Sequence, residues 1–156
     1  MQLEIPKPKH PPLNLSPEIP SLQKITDKTK INLRYVLISP YVTVHIYWNK
    51  KVGELLYEIE EPVLNNSEKE MLAQLEEGML EIINLETVTE KSQEALLNYI
   101  EKTTKLLLGE LGIRLSEESY NRIFYFMFRD FIGLNEIEPL VRDFFIEDVE
   151  CNGTDT

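Results

Sequence analysis

A chain of 156 residues with 42% hydrophobic and 28% charged residues has the composition of one folded domain, or of one domain and the start of another. The net charge of −11 argues against general nucleic-acid binding, because an acidic body repels phosphate backbones. No stretch approaches the ~20 apolar residues of a membrane helix, the start lacks a signal-peptide pattern, and the single cysteine excludes an internal disulfide, so we expect a cytoplasmic protein.

The charge is divided unevenly along the chain. Residues 1–53 contain eight Lys and Arg against three Asp and Glu, whereas residues 54–156 contain eight against 24. The basic part is suited to contact an acidic partner or the chain's own acidic helices, and the simpler alternative is a solvated flank.

Residues 1–32 are predicted to form a proline-rich N-terminal arm. Six of the nine prolines lie in the first 20 residues, and proline lacks the amide hydrogen that helices and central strands need. The arm is expected to be extended, and either to lie on the domain or to be mobile. A docking arm is the functional interpretation, and a disordered tail is the alternative.

Three strands are predicted next, over residues 33–38, 41–48 and 55–60. The second strand alternates most cleanly, and short connections between consecutive strands favour an antiparallel meander. The third is expected to place Leu55, Tyr57 and Ile59 on one face. An apolar face of this kind needs a cover, and helices are predicted to follow. The residues expected on one face of the second strand are Val42, Val44, Ile46 and Trp48.

The first two of four predicted helices begin at sequences with the spacing of a capping box, in which a hydroxyl and a carboxylate three residues apart bond to backbone amides. These sequences are residues 67–70 and 87–90, and the second helix is expected to end near Gly112. The apolar stripe of the first comprises Leu72, Leu75, Met79, Ile82 and Ile83, and that of the second comprises Leu96, Leu97, Ile100, Leu107 and Leu111.

The third helix is predicted to follow Ser116 and to stop at Gly133, with its dense aromatic residues forming the core. A short fourth helix is predicted with Asn135 as its cap and Glu138 three residues later. The residues expected to face inward are Tyr120, Ile123, Phe124, Met127, Phe128 and Phe131 on the third helix and Ile137, Leu140 and Val141 on the fourth.

The end of the chain has a strand pattern. Residues 145–151 alternate, and Asn152-Gly153 is a strong signal for a two-residue hairpin turn. Only three residues remain after that turn, so we expect the partner strand to lie beyond residue 156. The predicted architecture is therefore α+β: an antiparallel meander packed on about four helices over residues 33–143, then the truncated start of a second domain over 144–156.

The sequence contains no motif for catalysis or for cofactor binding. The phosphate loop G-x-x-x-x-G-K-[ST], the G-x-G-x-x-G fingerprint, H-E-x-x-H, a calcium loop and G-x-S-x-G are all absent. His45 is predicted to be a sheet-surface residue, and no catalytic, cofactor-binding or metal-binding residue is assigned.

Two segments resemble a known family. Residues 129–143 read R-D-x-x-G-x-x-x-I-x-P-L-x-x-D, followed by I-E-D-V at 146–149 and N-G at 152–153. This pattern is similar to the junction in type II/IV secretion ATPases, the family of general secretion pathway protein E, pilus-assembly motors and the archaellum motor. A softer earlier pattern resembles the archaeal branch and consists of Tyr35, Leu37, Pro40, Tyr41, Val44, Glu61, Pro62, Leu64 and Glu68.

The resemblance implies a non-catalytic N-terminal docking or regulatory domain of an archaeal secretion ATPase, followed by a PAS-like domain. The intact parent would be a hexamer that hydrolyses ATP with Mg²⁺ at a membrane platform and drives pilus or archaellum assembly or protein export. Its partners would be the downstream ATPase domains and a platform or cytosolic accessory protein, with no nucleic acid and no direct membrane insertion.

The candidate interdomain residues are Arg129, Asp130, Arg142, Asp143, Glu147, Asp148, Asn152 and Gly153. The alternatives are a stand-alone protein–protein interaction module and, with the least support, a small enzyme with a divergent site.

Overall fold

The computed structural model describes residues 13–15, 19–22, 24–84, 88 and 92–150. Three antiparallel strands come first, β1 (Asn32–Ile38), β2 (Val42–Asn49) and β3 (Glu54–Glu60), in the spatial order β1-β2-β3. Helices follow, so the α+β prediction is confirmed.

The register of the sheet places the predicted apolar positions together. Val44 pairs with Tyr35 on β1 and with Ile59 on β3, so these three side chains share one face across the sheet. The register shifts between Val36 and Ile38, at a β-bulge near the end of β1. The helices pack on this face and bury its centre, whereas Leu55 and Tyr57 at the β3 edge stay partly exposed.

The described part of the N-terminal arm lies on the domain. Asn14 exchanges two backbone hydrogen bonds with Ser39, at 3.1 and 3.3 Å, and its neighbours Leu13 and Leu15 are buried. Of the two outcomes left open for the arm, residues 13–15 follow the one in which the arm lies on the domain. A 3-10 turn at Lys28–Lys30 precedes β1.

The first helix, α1 (Asn66–Ile82), is capped by Asn65. The sequence pattern had indicated Ser67 as the cap, and that prediction is wrong. The Asn65 side chain accepts a hydrogen bond from the Glu68 amide at 2.9 Å, and the Glu68 carboxylate accepts one from the Asn65 amide at 3.0 Å. Ser67 already lies in the first turn. The capping box exists two residues earlier than predicted because an asparagine serves as the cap as well as a serine does.

The second helix, α2 (Gln93–Glu110), begins later than predicted. Ser92 is its N-cap and accepts a hydrogen bond from the Ala95 amide. The predicted box at 87–90 does not start the helix, and apart from residue 88 it lies outside the described residues. The predicted end is confirmed, because Gly112 has a positive φ of 65° immediately after the helix.

The third helix, α3 (Glu117–Phe131), begins after Ser116 as predicted and provides the centre of the core. Its side chains are buried against both the sheet and the other helices, and Tyr125, which the periodicity did not select, is fully buried. The buried residues of α3 are Ile123, Phe124, Tyr125, Met127 and Phe128.

The fourth helix, α4 (Glu138–Val141), is a single turn, and its predicted cap and inward face are wrong. Asn135 has a φ of 55° and opens a 3-10 turn at Asn135–Ile137 without a side-chain capping bond. Ile137 and Val141 are exposed, whereas Glu138 is buried, because its carboxylate binds groups inside the fold.

The segment after α4 forms no strand within the described residues, which end at Glu150. The predicted strand is therefore not formed over residues 145–150, and its last residue, Cys151, lies outside the described residues. Phe144 and Phe145 are exposed. The predicted Asn152-Gly153 turn lies outside the described residues.

Within the described ranges, no helix is both long and apolar enough to span a bilayer.

Candidate functional site

The two segments whose sequence patterns resemble secretion ATPases contact each other where the sheet meets α3. Arg129, near the end of α3, donates from Nη1 to both carboxylate oxygens of Glu61 at 3.2 and 3.3 Å, and from Nε to Asp130 at 2.7 Å. Tyr125, one turn earlier, donates its hydroxyl to Glu61 at 2.5 Å. The Arg129 side chain is only 12% exposed and also lies over the ring of Phe126. One guanidinium therefore joins the residue after β3 to the end of α3.

Burial and neighbouring charges shift the pKa values of several groups in this cluster. Burial, together with the hydrogen bond to Glu61, raises the pKa of Tyr125. Burial by itself would lower the pKa of Arg129, but Asp130 and Glu61 outweigh it and raise that pKa. Burial and the nearby Asp130 carboxylate raise the pKa of Glu76 on α1. The charged form of Arg129 is therefore favoured at this site.

A second contact joins the end of α4 to the sheet. The Asp143 side chain is buried, and its Oδ2 accepts hydrogen bonds from the hydroxyls of Tyr35 on β1 and Tyr57 on β3, each at 2.6 Å. Its Oδ1 accepts from the Phe145 amide at 2.9 Å. The carboxylate therefore fixes the direction in which the chain leaves α4.

The two tyrosines respond to burial and to this carboxylate. Burial raises the pKa of both Tyr35 and Tyr57, and the hydrogen bond and negative charge of Asp143 raise it further. The Tyr35 ring also meets the Phe145 ring edge-on, with 5.7 Å between centroids. Tyr35 and Tyr57 lie on β1 and β3, the two outer strands on either side of β2. Asp143 therefore connects both outer strands of the sheet.

The turn between α3 and α4 is held by Glu138. Its carboxylate accepts from the Leu134 amide at 2.9 Å and from Arg142 Nε at 2.7 Å. A Cβ at Gly133 would lie 2.7 Å from the Arg129 carbonyl oxygen and 3.0 Å from the Glu138 side chain. Glycine at position 133 is therefore required by close packing.

A third contact, between Arg122 and Glu68, ties α1 to α3. Arg122 donates to the buried Glu68 carboxylate at 2.5 Å and to Glu118 at 2.8 Å. The hydrogen bond from Arg122, with those from Ser119 and the Asn65 amide, lowers the pKa of Glu68 to about 2. We call the three contacts together the polar network, whose residues are Tyr35, Tyr57, Glu61, Glu68, Arg122, Tyr125, Arg129, Asp130 and Asp143.

The structure separates the predicted interdomain residues into two groups. Arg129, Asp130 and Asp143 belong to the polar network, and Arg142 binds Glu138. These side chains have partners inside the domain, so they hold its own elements together; a further contact to another domain stays a prediction. Within the segment after α4, Glu147 and Asp148 are exposed, whereas Asn152 and Gly153 lie outside the described residues.

Among the described residues, no group of three or more His, Cys, Asp or Glu side chains is placed to hold a metal ion. His45 lies on the sheet face opposite the helices, stacks on Tyr47 and bonds to Asn32 and Arg34, as expected for a sheet-surface residue. The carboxylates of the polar network are already engaged by arginine and tyrosine.

Sequence reasoning did not select six members of the polar network as site residues. Tyr35, Glu61 and Glu68 were named only as parts of a motif, Tyr57 was named only as part of an apolar face, and Arg122 and Tyr125 were not selected at all. A tyrosine that is buried almost always has a partner for its hydroxyl. The number of tyrosines on the predicted core face was therefore the available signal that buried acceptors would be present.

No family model matches the chain. It is similar to an uncharacterized protein of Methanocaldococcus jannaschii, MJ1288, with 26% identity over 97 residues. The matched part covers 62% of this chain and 38% of the relative, so this chain spans well under two thirds of the relative's length.

Proposed function

We propose that this chain is a non-catalytic docking or regulatory domain of a hexameric secretion ATPase that powers pilus- or archaellum-type assembly or protein export. The observation that carries the proposal is the contact between the two segments that resemble this family. Glu61, from the first segment, binds Arg129 from the second, and Tyr35 likewise binds Asp143. Residues that resemble one family and also contact one another support a common structural role.

The polar network gives this domain a way to transmit force. Asp143 holds the start of the segment that leaves the domain, and its two tyrosine partners lie on the outer strands β1 and β3. Arg129 links the adjacent helix end to the residue after β3. A displacement of the chain after residue 143 would therefore move the sheet and α3 as a unit. Such rigid coupling suits a domain placed between a motor and its partner.

Nucleotide chemistry would come from other parts of the parent. The residues of this chain do not fit ATP and Mg²⁺, because the sequence has no phosphate loop and the carboxylates of the polar network are occupied by arginine and tyrosine. ATP and Mg²⁺ would be bound by downstream domains. The partners would be those domains and a membrane platform or cytosolic accessory protein, which would hold this domain at the cytoplasmic face of the membrane.

The proposal is tested on the native polypeptide. An antibody raised against the purified chain should detect, in the source cells, a polypeptide with a mass much greater than 18.2 kDa. Mass spectrometry of that band should recover a peptide with G-x-x-x-x-G-K-[ST], and the purified 156-residue chain should show no magnesium-dependent ATP hydrolysis. A native band near 18.2 kDa, or turnover by the pure chain, would contradict the proposal.

A stand-alone interaction module is the second candidate. It is favoured by the exposed lysines in residues 24–31 and 49–54, which lie at one end of the sheet. These lysines could bind a partner without a motor. In that case the native band would have the mass of the chain itself.

A further inference from the structure

One end of the sheet carries most of the positive charge of the N-terminal part. The backbone amide of Trp48 donates to the Ile31 carbonyl at 3.1 Å, which holds the end of β2 beside the 3-10 turn at Lys28–Lys30. The β2–β3 hairpin turn begins immediately after Asn49. We call residues 24–31 and 49–54 the lysine-rich end; it contains Lys24, Lys28, Lys30, Lys50 and Lys51.

The lysines of this end point to solvent. All five are exposed, and two carboxylates, Asp27 and Glu54, accompany them within the same ranges. Asp27 is already engaged, because it accepts from Thr29 and lies 3.6 Å from Lys30. The lysine-rich end is therefore net positive, in a chain whose net charge is −11.

Apolar side chains stand among these lysines. Val52, in the hairpin turn, is 59% exposed, and Ile25, next to Lys24, is 44% exposed. Lys28 lies over the Trp48 ring, 5.2 Å from its centroid. Lysine ammonium groups around exposed aliphatic tips match a membrane interface, where the charges meet headgroups and the aliphatic groups reach the acyl boundary.

We infer that the lysine-rich end binds directly to the surface of an anionic lipid bilayer. A flat surface contacts one end of the domain and leaves the acidic helices facing water, whereas a nucleic-acid strand long enough to bind would also run along acidic surface. Residues 24–31 and 49–54 also include no arginine and no aromatic residue, whereas grooves that bind single-stranded nucleic acid typically present both for stacking on bases. This inference stands on the charges and the exposed apolar side chains of this end and does not depend on the proposed motor.

The binding is expected to be weak, reversible and sensitive to salt. Each lysine near an anionic surface strengthens binding about fivefold, and the attraction decays over a Debye length of about 10 Å at 0.1 M salt. Five lysines without a lipid anchor therefore give a peripheral contact that a second attachment would reinforce.

The test is co-sedimentation of the 156-residue protein with vesicles of phosphatidylcholine alone or with one quarter phosphatidylglycerol. The single tryptophan, Trp48, lies at this end and gives a second readout, a blue shift of its fluorescence on binding. We expect binding to the anionic vesicles only, and a loss of at least tenfold in affinity between 50 and 300 mM salt.

Two matched triple variants decide whether the contact is local. Replacing Lys24, Lys50 and Lys51 with Gln should weaken vesicle binding on the order of 100-fold. The control, Lys69→Gln, Lys102→Gln and Arg114→Gln, removes the same charge from exposed positions on other parts of the fold and should bind as the parent protein does.

Three results would overturn the inference. One is equal binding to neutral and anionic vesicles, and another is equal loss in the two triple variants. The third is that a DNA duplex or a polyglutamate peptide binds more tightly than anionic vesicles and is not displaced by them. That result would assign the lysine-rich end to nucleic acid or to an acidic protein.

Discussion

The polar network and the lysine-rich end place charge in opposite environments. In the polar network, the Arg129 side chain is 12% exposed and donates to the carboxylates of Glu61 and Asp130, and Glu61 also accepts from the Tyr125 hydroxyl. At the lysine-rich end, the one ion pair that the structure shows joins Lys30 to Asp27 at 3.6 Å, with both side chains largely exposed. Removing one partner of a buried ion pair destabilises a fold because it leaves an uncompensated charge, whereas exposed, mostly unpaired charge contributes little to stability and remains able to bind a partner.

This difference assigns separate tasks to the two regions. Mutations in the polar network should lower the free energy of unfolding, and mutations at the lysine-rich end should change binding alone. Five predictions test that division, and the variants are ordered by decreasing expected effect on stability.

Arg129→Met is expected to have the largest effect. It leaves the carboxylates of Glu61 and Asp130 without their cation in a half-buried site, which should lower the free energy of unfolding by roughly 2–3 kcal/mol. Urea denaturation measures the change. Arg114→Met is the control, since this exposed side chain should shift stability by less than about 0.5 kcal/mol. Equal effects of the two would show that the Arg129 contacts are incidental.

Asp143→Asn should cost about 1–2 kcal/mol, because two tyrosine hydroxyls lose a charged acceptor. Its more specific result is spectroscopic: the pKa values of Tyr35 and Tyr57, which burial and Asp143 raise, should fall toward the ordinary value. Absorbance at 295 nm follows this titration. An unchanged tyrosine titration, or an equal one in Asp148→Asn, would argue against the contact.

The same tyrosines fix the sign of the alkaline response. Because their folded pKa values lie above the unfolded value of about 10, their contribution to stability is complete below pH 10 and is lost as the pH rises above it. The urea concentration at the unfolding midpoint should therefore decrease as the pH rises above 10 in the parent protein. The decrease should be less steep in Asp143→Asn.

Glu68→Gln should cost about 1 kcal/mol at neutral pH through its hydrogen bonds with Arg122 and Asn65. The pKa of Glu68 is lowered to about 2, so its contribution is present above pH 4.5 and is lost as the pH falls toward 2. Urea unfolding of the variant should consequently show a shallower decline between pH 4.5 and 2. Glu70→Gln, at an exposed position of α1, is the control and should retain the parent slope.

The triple replacement of Lys24, Lys50 and Lys51 with Gln should change the free energy of unfolding least, by less than about 0.5 kcal/mol. Thermal unfolding at fixed salt measures this. A loss as large as that of Arg129→Met would remove the distinction between the two regions, because the lysines would then be structural.

The sequence predicted the sheet and the core of this fold because those features follow from local pattern. The alternation of Val42 and Val44 set the face of β2, and the spacing of Ile123, Met127 and Phe128 set the buried side of α3. These residues have few alternatives to burial, so periodicity alone was enough.

The caps and the site depended on interactions that periodicity does not encode. Ser67 and Asn65 are both acceptable caps, and only the reach of the Glu68 carboxylate selected Asn65. Asn135 and Glu138 have capping-box spacing, yet Glu138 is drawn inward by Arg142 and the Leu134 amide. A carboxylate's choice among several donors is made by tertiary geometry.

The long-range contacts were out of reach for the same reason. Tyr35 and Asp143 are 108 positions apart, so no local signal connects them. The resemblance to secretion ATPases placed both residues in motifs, and only the fold shows that the two motifs touch.

The measurement that tests the account most directly is the sequence of the source reading frame beyond codon 156. The account predicts that the reading frame continues with a strand pattern soon after codon 156 and, further on, encodes G-x-x-x-x-G-K-[ST], which would make this chain the docking domain of a motor. A stop codon at or near codon 156 would contradict that account and leave a stand-alone interaction protein.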